Sequence, residues 1–132
     1  MIDNRISCTC FELGDWPLSR VFLKNNANYP WFILVPRQEN ITDICQLPSA
    51  LRHVLIDEIS ELSSIVSAYF KPDKLNVGAL GNMVPQLHLH VIARFTHDEL
   101  WPHGVWQQAQ TTTPYTKEKL DELLMYFRRQ VE

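Results

Sequence analysis

At 132 residues, 45% hydrophobic and 20% charged, the chain has room for one compact core and little more. A formal charge of -3 leaves no basic footprint for a nucleic-acid polymer, although a single phosphate can still be held by backbone amides. There is no apolar run of about 18 residues to span a membrane, no charged-then-apolar leader at Met1-Ile2-Asp3-Asn4-Arg5, and an odd three cysteines; the expected setting is reducing and cytoplasmic.

Residues Ile6 to Phe11 predict a first strand, ended by Gly14-Asp15 and Pro17. Cys8 and Cys10 read as cysteines packed in that strand, and Trp16 beyond it as a core or lid aromatic. Arg20-Val21-Phe22-Leu23-Lys24 alternates as a strand, residues 25–30 form a polar turn cluster, and Trp31-Phe32-Ile33-Leu34-Val35 reads as a buried strand stopped at Pro36. A short polar link between two strands predicts an antiparallel hairpin. Thr42 to Cys45 suggests a short helical turn.

From about Pro48 to Phe70, Leu51, Leu55, Ile59, Leu62, Val66 and Phe70 recur at three and four, which predicts a long amphipathic helix. Pro48 suits its first turn, where no amide donor is needed. Asp57, Glu58 and Glu61 read as its solvated face, and His53 as part of the same helix. Pro72-Asp73 ends it. Lys74 to Ala79 alternates again and should pair antiparallel with the strand that follows.

That strand is the centre of the reading. In Pro85-Gln86-Leu87-His88-Leu89-His90-Val91-Ile92-Ala93-Arg94, a period of two puts Leu87, Leu89, Val91 and Ala93 on one face and Gln86, His88, His90, Ile92 and Arg94 on the other. This is the pattern of a half-buried strand, with the two imidazoles about 7 Å apart. Upstream, Gly78-Ala79-Leu80-Gly81-Asn82-Met83-Val84-Pro85 is turn-like and should bring backbone close to the imidazole face. A His is neutral and nucleophilic near pH 7, so two beside a Gly-Asn turn suit an anionic substrate. Phe95-Thr96-His97-Asp98 leaves the sheet, and His97 and His103 read as loop residues. Thr116 can cap a last helix to about Val131, with Leu120, Leu123, Leu124 and Phe127 as its apolar stripe. The fold class expected is α+β: an antiparallel sheet of about five strands, the long helix packed on it, and a C-terminal helix over 116–131. Residues 1–132 are expected to be one domain with its core over about 6–105.

The string from Gly81 to Ile92 resembles the signature of the histidine triad family of nucleotidyl hydrolases and transferases, His-φ-His-φ-His-φ-φ with φ apolar. Leu87, Leu89, Val91 and Ile92 fit φ, His88 and His90 fit the second and third positions, and Gln86 replaces the first His. The order of elements upstream and Trp101-Pro102-His103-Gly104 downstream are also similar to the family.

The resemblance implies attack by His88 on an α-phosphate and a nucleotidyl-histidine intermediate. The substrate would be a nucleoside phosphoramidate or dinucleoside polyphosphate. In the family, the imidazole is oriented by the backbone carbonyl of the first triad residue, so Gln86 need not disable His88. His90, Asn82 and the amides after Gly81 would contact phosphate oxygens, and Gln86 could donate through its amide. Leu23 would pack on the base and Asn25 would hold the ribose. Pro30-Trp31 replaces the family's Gly-His, so a His contribution to the pocket is expected to be missing.

The family also implies a homodimer acting on a small nucleotide. Some members bind zinc through Cys-x-x-Cys and the first triad His. Here the cysteine spacing is one short and Gln86 is a poor ligand, so neither metal nor cofactor is expected. A catalytically weak nucleotide-binding module remains as an alternative, as does a plain metal site of His88, His90 and Cys10.

Overall fold

The hairpin organises the sheet. In the computed structural model, which describes residues 1–106 and 111–132, strand β2 (Ser19–Lys24) pairs antiparallel with β3 (Trp31–Pro36) across the polar turn. β1 (Cys10–Asp15) flanks β2, while β5 (Leu89–Arg94) lies between β3 and the edge strand β4 (Lys74–Gly78). Every pairing is antiparallel, in the order β1-β2-β3-β5-β4, which with the helices gives the expected α+β architecture.

The chain start differs from the sequence expectation. Residues Asn4–Ser7 form a short helix, α1, because the Asp3 side chain accepts the Arg5 N–H and caps it. Only at Cys10 does the chain become extended, and β1 then runs through Gly14 with a register shift after Glu12. A β-carbon on Gly14 would stand 2.8 Å from Val131 Cγ1, so a side chain here would press on the end of the C-terminal helix. Cys8 is consequently an exposed residue at the end of α1, while Cys10 packs against the face of the sheet that carries the imidazoles.

The long helix α2 spans Ser49–Phe70, with Pro48 at its N-cap and Lys71 in the left-handed region closing it. The Thr42 to Cys45 turn is realised one step later as a single 3-10 turn, Ile44–Gln46. Helix α3 (Lys117–Val131) begins where Thr116 accepts the Lys119 N–H. Leu55, Leu62 and Val66 of α2, with Leu123, Phe127 and Val131 of α3, bury Val21, Leu23, Phe32, Leu34, Leu89, Val91 and Ala93 of the sheet. Phe32, Phe70 and Phe127 pack ring to ring there.

Glu58 corrects the expected solvated face of α2. It is 5% exposed, and its Oε2 accepts the Leu18 N–H at 2.8 Å, so it ties α2 to the start of β2. A carboxylate buried on an otherwise apolar stripe is held there by a backbone donor that the turn before β2 leaves unpaired.

The second correction concerns β5. It is buried on both faces, and ladder pairing starts at Leu89 rather than at Pro85. Its outer face is covered by the N-terminal segment and by residues from 84 to 106: Ile6, Phe22, Tyr29, Trp31, Ile33, Val35, Ile92 and Val105 form a second apolar cluster. Arg94, on that face, is 1% exposed; it bonds Asp98 at 2.7 and 3.0 Å and Asn76 at 2.8 Å, and Tyr29 and Trp101 lie against it. Thus the last strand residue anchors the loop that lies over the imidazole face. Among the described residues no helix is long and apolar enough to cross a membrane.

Candidate active site

His88 and His90 stand where β5 begins, 4.9 Å apart between ring centroids, and both are less than a tenth exposed. His88 lies just before the ladder. Its Nδ1 is 2.7 Å from the Gln86 backbone carbonyl, an acceptor, so Nδ1 carries the proton and Nε2 keeps its lone pair. Among the described residues no group bonds that Nε2.

His90 is fixed in the opposite sense. The Trp31 indole N–H donates to its Nδ1 at 2.8 Å, which leaves the proton on Nε2. The register explains this contact: Ile33 pairs with His90, so Trp31, two residues earlier on the same face of β3, reaches it diagonally. Burial pushes the His90 pKa down to about 3, with the His88 ring and the Lys24 ammonium adding to the effect. His90 is therefore a neutral N–H donor at neutral pH, and the pair offers one lone pair and one donor side by side.

Trp31 stands where the resemblance led to a His being expected, and its indole N–H is spent on His90. Lys24 lies over the Trp31 ring at 5.0 Å, and Trp106 stands edge-on to His90 at 5.6 Å. Neither Lys24 nor Trp106 was singled out from the sequence. The alternation of β2, which puts Lys24 on the same face as Phe22, was the available signal for the first; a loop tryptophan carries no comparable signal.

The other expected residues divide. Gly81 has φ +84 and sits in the turn against the backbone of Val84 and Pro85, with Asn82 exposed beside it. Asn25 uses its side-chain oxygen to accept the Tyr115 N–H at 2.9 Å, so it holds the segment leading into α3. Leu23 is a correction: it is fully buried on the helix side of the sheet, opposite His90, and a base cannot pack on it there. Period-two alternation from Lys24 decides this.

Gln86 does not turn toward the imidazoles. Its Oε1 accepts the Asp3 N–H at 2.8 Å and its Nε2 donates to the Met1 carbonyl at 2.9 Å. Arg5 bonds the Met83 carbonyl, which closes the N-terminal segment onto the same loop. Among the described residues no three His, Cys, Asp or Glu side chains are grouped to hold a metal ion.

The HIT domain profile matches residues 8–97, more than half of the chain. No curated protein matches. Among solved structures, the chain is similar to a histidine triad protein from Marinobacter aquaeolei VT8 at 40% identity and TM-score 0.94, covering 99% of this chain and 95% of that one. A histidine triad protein from Bradyrhizobium japonicum is 37% identical with TM-score 0.95, over 100% and 98% of the two chains. One from Sinorhizobium meliloti 1021 is 30% identical with TM-score 0.93, over 98% and 96%. With the motif strand, the oriented imidazoles and these matches together, the chain belongs to the histidine triad (HIT) family of nucleotide-binding hydrolases and transferases.

Proposed function

We propose that the protein cleaves a nucleotidyl substrate at its α-phosphate through a covalent intermediate on His88. The substrate is a nucleoside phosphoramidate or a dinucleoside polyphosphate. The observation that carries this reading is the 2.7 Å bond from His88 Nδ1 to the Gln86 carbonyl, which keeps the lone pair on Nε2.

In the first step the Nε2 lone pair attacks phosphorus. The bond from phosphorus to the leaving nitrogen or oxygen breaks, and the leaving group keeps the electron pair and takes up a proton from solvent, which is returned when water attacks in the second step. The ring then carries a positive charge, which the Gln86 carbonyl dipole stabilises through Nδ1–H. Water or another acceptor next attacks the same phosphorus, the P–N bond breaks, and His88 returns to its starting tautomer. His90 donates Nε2–H to a non-bridging oxygen in both steps, and amides after Gly81 assist together with the exposed Asn82 carboxamide. The ribose role of Asn25 falls to its amide nitrogen, since its oxygen is occupied.

A homodimer in the cytoplasm is part of the same reading. β4 is an edge strand, and Val77, Leu80 and Met83 are exposed on it and on the turn after it, which suits pairing with a second copy.

The test is incubation with adenosine phosphoramidate and with a dinucleoside polyphosphate, comparing wild type with His88→Ala. Release of nucleoside monophosphate by wild type alone, with a nucleotide trapped on His88 by mass spectrometry, supports the proposal. A folded wild type that binds the monophosphate tightly without turnover makes the protein a nucleotide-binding module instead.

A further inference from the structure

The side chain at the first triad position does something the imidazole chemistry does not require. Gln86 spans the backbone on either side of Ile2, accepting from the Asp3 N–H and donating to the Met1 carbonyl. A carboxamide presents its acceptor and a donor side by side, as the C=O and N–H of one strand residue do, so it pairs with an extended segment as a neighbouring strand would. An imidazole carries its two nitrogens on divergent directions and cannot make both bonds. The two partners also fix the orientation of the amide, because an N–H needs Oε1 and a C=O needs Nε2.

The segment held this way borders the site. Ile2 and Ile6 pack in the cluster that contains Trp31 and Ile92, on the face of the sheet that carries the imidazoles. Arg5 ties the segment to the turn before Gln86 through the Met83 carbonyl, and its guanidinium pairs with Asp3 at 2.9 Å. On its other side, away from the two imidazoles, the segment lines a groove of about 860 Å³ together with Gln86, Arg20, Arg37 and Glu39. Arg37 bonds only the carbonyls of Trp16 and Pro17 among the described residues, so its charge is not cancelled by a paired carboxylate. An anionic group beyond the reacting phosphate would find a cation in that groove.

We infer that Gln86 is a positioning residue that acts through the N-terminal segment: its carboxamide seats Met1–Asp3 as a wall of the substrate site and thereby sets affinity for large anionic nucleotidyl substrates. The inference rests on the proposed nucleotidyl chemistry for its kinetic consequence, and on the two hydrogen bonds alone for the clamp itself.

Four variants test it: Gln86→Ala, Gln86→Glu, Asp3→Pro and the double Gln86→Ala/Asp3→Pro. Glu accepts from Asp3 but cannot donate to Met1, and Pro removes the Asp3 N–H at a residue whose φ of -58 a proline ring accepts. Asp3→Asn, which keeps the amide and a capping oxygen, is the control.

In each test variant KM for a dinucleoside polyphosphate should rise about tenfold, with kcat changing far less, because removing uniform binding leaves the chemical step intact. The double variant should be no worse than either single one, since both break the same contact. Hydrogen exchange over residues 1–7 should accelerate in all four, whether or not turnover is seen. Additive effects, or a fall in kcat at unchanged KM, would overturn the inference in favour of direct participation by Gln86. Unchanged exchange in Gln86→Ala would remove the clamp. If wild type turns nothing over, the affinity of the same variants for a dinucleoside polyphosphate replaces KM, and an unchanged affinity with accelerated exchange also overturns it.

Discussion

At the scale of single residues, the site depends on two tautomers fixed by two different donors and acceptors. Trp31→Phe keeps the ring packing but leaves the His90 Nδ1 as a buried acceptor without a donor. Such a group costs about 1–3 kcal/mol, so a lowered denaturation midpoint is expected, together with slower turnover as His90 loses its orientation. Denaturant melts and steady-state rates on the same preparation check both. His90 also makes stability depend on pH. Its folded pKa, near 3, lies below the unfolded value near 6.5, so between these limits the unfolded chain binds more protons. Stability should therefore rise with pH across that window, by up to about 1.4 kcal/mol per unit from this group, and level off above it. Denaturation at a series of pH values should give a shallower slope for His90→Gln than for wild type; equal slopes would contradict the assignment.

At the scale of elements, what holds the surroundings of the site in place is a set of buried polar ties. Arg94 and Asp98 fasten the loop after β5, and Asp98 has a pKa below the usual carboxylate range. Burial pushes it up, but hydrogen bonds from Arg94 and from the amides of Phe95 and Trp101 outweigh that. Asp98→Ala would leave a buried guanidinium without its carboxylate, at a cost of about 3–5 kcal/mol, and should loosen residues 95–103 in limited proteolysis.

Helices α2 and α3 and the β2–β3 hairpin were legible in the sequence, because hydrophobic periodicity and turn chemistry act locally. Asp3 capping α1 was not, since a strand-like Ile6–Phe11 hides it. Glu58 was misread because its partner, the Leu18 amide, lies 40 positions away. The imidazole face itself was legible, yet its burial was not: the covering residues come from the N-terminal segment and from residues 84 to 106. Leu23 was misassigned even though alternation along β2 places it with Val21, away from Phe22.

At the scale of the whole molecule, the sheet ends in two edge strands, β1 and β4, and the exposed Val77 lies on β4. If two copies join there, Val77→Lys should shift the protein toward monomer by light scattering while leaving the monomer folded, because the residue is exposed in the single chain. A dimer of unchanged strength in that variant would move the interface elsewhere. The Gly14–Val131 approach gives a second global check. Gly14→Ala forces a methyl group into the end of α3 and should destabilise the fold by about 1–3 kcal/mol.

The atom that orients His88 belongs to the main chain, and every amino acid, proline included, carries such an oxygen. Substitutions at position 86 are thus free to serve other ends without disturbing the orientation of His88. A search pattern that insists on three imidazoles would pass over chains like this one, whereas one written around the last two, with any residue before them, would retrieve it.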